Sequence, residues 1–113
     1  MKLLIVDDNH STRKLIRSIM SPYGHEIVES GNGSDAVKLY ASELPDCVLM
    51  DYEMPGINGI KVTETIKASF PNARIIIVTM FDDEYLREAA TKAGAERYVL
   101  KENLMDLPGM LEE

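Results

Sequence analysis

Short runs of consecutive aliphatic residues alternate along this chain with longer stretches in which apolar side chains recur every three or four positions. The first run, Lys2-Leu3-Leu4-Ile5-Val6, is the pattern of a strand covered on both faces of a parallel sheet. It stops at Asp7-Asp8-Asn9. From Ser11 onward Leu15, Ile16, Ile19 and Met20 repeat at helical spacing, with Arg13, Lys14 and Arg17 on the other side, until Pro22 and Gly24 end the helix. Glu26–Ser30 alternates and runs into Gly31-Asn32-Gly33, which predicts a strand nearer the sheet edge. Ser34 or Asp35 is the expected cap of a second helix with an apolar stripe of Ala36, Val37, Leu39, Tyr40 and Leu44, stopping before Pro45.

A third strand is predicted over Asp46–Met50, delivering Asp51 at its C-terminal edge immediately before the Pro55-Gly56 turn. Asn58 caps a third helix that turns Ile60, Val62, Ile66 and Phe70 inward and stops at Pro71-Asn72. Arg74–Val78 is aliphatic after its first residue, a central strand ending at Thr79. Asp82 or Asp83 caps a fourth helix with Tyr85, Leu86, Ala89, Ala90 and Ala93 as the expected inner face, closed by Gly94. Glu96–Leu100 makes the fifth strand, ending at Lys101, and Leu104 to Glu113 carries Leu107, Met110 and Leu111 as a last helix that must begin near Asp106 to accommodate Pro108.

Strand and helix alternate throughout, with no hairpin signal, so the expected fold is α/β: a parallel sheet with helices on both faces. The flavodoxin-like doubly wound order 2-1-3-4-5 suits a chain of 113 residues. In that order the first and third strands are neighbours, and Asp7, Asp8 and Asp51 meet at one edge. Three crowded carboxylates repel one another unless a positive charge shares the site. All-oxygen ligands in a partly open position favour Mg²⁺. A phosphoryl group could then approach an aspartate, with Lys101 and Thr79 binding its remaining oxygens.

Composition narrows the reading further. A net charge of −7 argues against direct nucleic acid binding by this segment. One cysteine, Cys47, can form neither an internal disulfide nor a zinc site, which favours a cytoplasmic protein; no apolar run is long enough to span a membrane.

Asp7-Asp8, Asp51 followed by Met54-Pro55-Gly56 and Gly59, Val78-Thr79, and Tyr98-Val99-Leu100-Lys101 together resemble the receiver (CheY-like) domain of two-component response regulators. The match spans essentially the whole chain. The resemblance implies that Asp51 accepts a phosphoryl group from a sensor histidine kinase. It implies Mg²⁺ on Asp8, Asp51 and the backbone carbonyl of Glu53, with Asp7 acting through water. Lys101 would pair with the phosphoryl oxygens, Thr79 would turn toward them, and Tyr98 would rotate inward as the switch. The face made by the fourth helix, fifth strand and fifth helix would then carry the signal to a partner, and phosphorylation could promote a homodimer.

Most receivers follow the lysine with proline, often through a cis bond, whereas Glu102 follows here. The Lys-Glu ending, Thr79-Met80 and the Glu84-Tyr85-Leu86-Arg87-Glu88-Ala89 helix resemble the subfamily that carries a C-terminal helix-turn-helix output domain. On that reading residues 1–113 are a single receiver domain with a truncated last helix, and its output domain lies elsewhere. Singly, each site residue has a bland reading: a turn aspartate, a strand-end hydroxyl, a solvated lysine. Their convergence on one sheet edge favours chemistry. A haloacid-dehalogenase-type phosphatase needs a second aspartate two residues after its nucleophile, and Glu53 holds that position. A receiver fold acting as a constitutive, unphosphorylated interaction module is the alternative.

Overall fold

The computed structural model describes residues 1–111 of the chain. In chain order the elements are β1 (Lys2–Val6), α1 (His10–Met20), a 3-10 turn (Ser21–Tyr23), β2 (Glu26–Ser30), α2 (Gly33–Glu43), β3 (Cys47–Asp51) and α3 (Gly59–Ser69). They continue with β4 (Ile75–Thr79), α4 (Glu84–Ala93), β5 (Arg97–Leu100), a 3-10 segment (Lys101–Asp106) and α5 (Leu107–Leu111). All strand pairs are parallel, in the expected order β2-β1-β3-β4-β5.

Successive strand residues point to opposite faces, so each aliphatic run supplies two cores. Leu4, Val6, Val48, Met50, Ile75 and Ile77 pack with residues of α2, α3 and α4. Leu3, Ile5, Cys47, Leu49, Ile76, Val78 and Val99 pack with Ile16 and Met20 of α1 and with Leu104, Leu107 and Leu111. Every residue of β3 and β4 is buried, which is why these strands lack polar positions until their last residue. Cys47, Met20 and Met50 are core filler.

Several local expectations change. The α2 cap is Asn32, which accepts the Asp35 N–H at 2.9 Å while its own amide donates to the Asp35 carboxylate at 2.9 Å, a reciprocal cap that displaces Ser34 and Asp35 from the role. Leu44 is no part of the apolar stripe; it is the left-handed C-cap of α2, with φ 46°, and is exposed. Leu15 and Tyr85, assigned inward from spacing, are 50% and 78% exposed because each lies just beyond the edge of its helix's buried face. Asn58 caps α3 as expected, and of the two candidates offered for α4, Asp82 and Asp83, it is Asp83 that caps. The last helix begins at Leu107, with Leu104 in the preceding 3-10 segment; its predicted end at Glu113 lies outside the described residues. No peptide bond among the described residues is cis, so Lys101–Glu102 is trans. No helix among them is long and apolar enough to cross a membrane.

Candidate functional site

Register decides which strand ends meet. Val6 on β1 lies opposite Met50 on β3, so Asp7 and Asp51 leave the sheet side by side. Asp51 pairs with Val78 on β4, and Thr79 with Leu100 on β5, which places Lys101 one residue beyond. Alternation then sorts the side chains. Asp7, Asp51 and Lys101 continue the parity of Ile5, Leu49 and Val99, toward α1 and α5; Thr79 and Tyr98 continue the parity of Ile77, toward α4.

The acids and the lysine form one cluster. Lys101 Nζ lies 3.0 Å from Asp7 Oδ2 and 3.3 Å from Asp51 Oδ1. The second Asp7 oxygen, Oδ1, accepts the Asn9 N–H at 2.8 Å. Asp7 and Asp51 are buried, whereas Asp8 is exposed. Carboxylate oxygens of Asp7, Asp8 and Asp51 lie within 4.8 Å of one another. Burial, reinforced by the Asp7 charge and opposed by Lys101, pushes the Asp51 carboxyl up to about 6. Burial acts to lower the Lys101 pKa, but the bond to Asp7 and the charge of Asp51 hold it above its ordinary value. One ammonium therefore offsets three carboxylates only in part. This hard-oxygen donor set with uncompensated negative charge fits a small divalent cation such as Mg²⁺.

The cluster opens onto a cleft of about 510 Å³ bordered by Asp8, Glu53, Met54, Thr79, Met80 and Phe81. Glu53 is exposed at the rim. The Gly56 φ of 86° makes the turn after Pro55, a conformation that L side chains rarely adopt. Thr79 is buried, and its Oγ1 accepts the Phe81 N–H at 3.1 Å. Tyr98 donates its hydroxyl to the Phe81 carbonyl at 2.6 Å, while the Arg87 guanidinium covers its ring 4.5 Å from the centroid. Phe81 in turn meets Tyr52 edge-on, ring centroids 6.3 Å apart.

The structure thus brings together every residue singled out from the sequence, with Tyr98 joined to Thr79 through Phe81. Arg13 is the correction. Assigned to the outer face of α1, it instead reaches under the acid cluster: Nη1 donates to the Asp7 carbonyl, and Nε to Glu29 Oε1 at 3.1 Å. The available signal was Glu29, an acid inside a strand pattern that needs cationic partners; Arg13 and Arg17, four apart on one helical face, supply them.

The model of the response regulator receiver domain matches residues 3–111. The transcriptional regulatory protein DegU of Brevibacillus brevis is 31% identical over 114 residues, covering 99% of this chain and 48% of DegU, so the chain spans about half the length of that relative. A LuxR-family two-component response regulator from Aurantimonas superposes with a TM-score of 0.93 at 32% identity, covering 98% of this chain and 81% of that one. The Thermotoga maritima response regulator TrrA, solved in complex with Mg²⁺–BeF, superposes with a TM-score of 0.89 at 33% identity, covering 98% and 96%.

Proposed function

The chain belongs to the response regulator receiver domain family, and from that premise we propose that it is a phosphorylation-dependent signalling switch with Asp51 as phosphoacceptor. The observation that carries the proposal is the Lys101 ammonium held between Asp7 and Asp51 at the head of an open cleft. Asp51 is a buried strand-end carboxylate facing that cleft, pushed up to about 6 by burial.

The donor is a phosphohistidine on a sensor kinase. An Asp51 oxygen forms the new bond to phosphorus, the phosphorus–nitrogen bond breaks, and the imidazole leaves. Asp8, Asp51 and the Glu53 carbonyl would hold Mg²⁺, with Asp7 acting through water. When bound, the cation neutralises charge on the transferring group. Lys101 transfers its contact from Asp51 to a phosphoryl oxygen, stabilising charge as it develops. That the structural neighbour TrrA was solved in complex with Mg²⁺–BeF supports a cation in this reading.

Thr79 and Tyr98 are the switch. Both bond to the backbone of Phe81, so withdrawing the Thr79 hydroxyl toward a phosphoryl group releases one end of the segment that Tyr98 holds at the other. Tyr98 then rotates into the space that Thr79 leaves. Such a ligand can bias this equilibrium only by its different contacts in the two states. The output surface is the α4–β5–α5 face, where Tyr85 of α4 is exposed and the exposed Met80 and Met105 lie in the segments that flank α4 and α5. Its target is an output domain that regulates transcription, in keeping with the name of the DegU relative; the same face supports a phosphorylation-dependent homodimer.

The test is intact mass after incubation with Mg²⁺ and a small-molecule phosphodonor, beside Asp51→Ala. A gain of one phosphoryl group in the wild type, prevented by chelation and absent in the variant, is expected. No gain in either makes the domain a constitutive interaction module.

A further inference from the structure

Arg13 does not itself line the cleft, yet its guanidinium is tied at both ends. Its side chain is 17% exposed, close in the middle of an otherwise polar helix face. Nη1 donates to the backbone carbonyl of Asp7, and Nε to Glu29 on β2. Arg17 binds the other Glu29 oxygen at 2.7 Å, so the acid is clamped from two sides. The guanidinium passes over Gly31, where a Cβ would stand 3.4 Å from Nη1. Helix α1, the end of β2 and the end of β1 are joined at this one group.

The bond to Asp7 has a geometric consequence. A trans peptide is planar, so fixing the Asp7 carbonyl fixes the Asp8 N–H that points the opposite way. The remaining Asp7 oxygens are held by Asn9 and Lys101. Asp8 is exposed, and among the described residues no hydrogen bond holds its carboxylate, so its backbone aims it. We infer that Arg13, braced by Glu29, is a positioning residue that orients the Asp7–Asp8 peptide and thereby the cation-binding carboxylates. The inference rests on the Mg²⁺ site proposed above.

Removal of an outer support of a metal ligand typically weakens affinity about tenfold or more. Titration of the intact domain with MgCl₂, followed by calorimetry at a temperature where every variant is folded, should show that weakening in Arg13→Met. Arg17→Met, which loses a bond to the same glutamate but none to Asp7, should bind as the wild type does. Amide hydrogen exchange in metal-free protein supplies a second readout at Asn9, whose N–H the Asp7 carboxylate holds: Arg13→Met should accelerate it about tenfold, Arg17→Met should not, and Arg13→Lys should recover part of the protection. Wild-type affinity and wild-type exchange in folded Arg13→Met would overturn the inference. If the wild type itself fails to bind Mg²⁺, the proposed cation site falls, and the exchange comparison still decides whether Arg13 orients the peptide.

Discussion

A Cβ on Gly59 would stand 2.0 Å from the carbonyl oxygen of Asp51. The first turn of α3 therefore lies directly against the end of β3, close enough for the Gly59 N–H to donate to Tyr52 at 2.8 Å. The neighbour it would strike is backbone, with Met50 Cγ also within 2.9 Å, so no side-chain rotation relieves the clash. Gly59→Ala should cost about 3 kcal/mol. Urea denaturation would check it, and the phosphorylation rate should fall with the displaced Asp51.

Lys101 separates two buried acids, and removing one partner of such a cluster leaves uncompensated charge. Lys101→Met should destabilise the metal-free domain by about 3 kcal/mol near neutral pH. The loss should shrink on acidification, as Asp51 takes up a proton, and on adding Mg²⁺. Denaturation at two pH values, with and without the cation, tests each part.

Asp51 makes the metal-free domain favour mild acid. Its carboxyl is raised from 3.8 to about 6 in the folded protein, so the folded state binds the proton more tightly than the unfolded chain. The stability contribution is complete below the unfolded value and is lost as pH rises through about 6. Between about pH 8 and about pH 5 the wild type in EDTA should gain on the order of 1–3 kcal/mol. Glu29 and Glu96 act in reverse: burial raises Glu29, but Arg17 and Arg13 outweigh it, and Arg74 holds Glu96 down. Their contributions are lost as pH falls below 4.5, which closes the window on the acid side. Asp51→Asn should flatten the slope above pH 5 and be more stable than the wild type near pH 8, measured by denaturant midpoint.

Thr79→Val keeps the shape of the side chain but removes the acceptor for the Phe81 N–H and the donor for a phosphoryl oxygen. It should cost about 1–2 kcal/mol. Asp51 should still gain a phosphoryl group, while amide chemical shifts across α4 and β5 move far less than in the wild type. Full wild-type shifts in the variant would remove Thr79 from the switch.

Asn58, and the pair Asp82-Asp83 from which Asp83 emerges, could be read as caps because the signal is local: a polar acceptor immediately before an apolar periodic segment. Strand burial was legible for the same reason, since a strand covered on both faces must be apolar at every position. The helix faces were less so. Periodicity gives the direction of Leu15 and Tyr85 but not the width of the neighbour that would cover them, and both stand exposed.

What the sequence determined by itself was the alternation of strand and helix and the chemistry placed at each strand end: Asp7, Asp51, Thr79 and Lys101. These follow from spacing and from the cost of burying polar groups, both properties of short segments. Tertiary structure alone decided that Lys101 lies against Asp7 and Asp51, that Thr79 and Tyr98 meet at Phe81, and that Arg13 turns under the site to Asp7 and Glu29. Those contacts join residues on different elements, through sheet register and long flexible side chains, and nothing in local spacing encodes either.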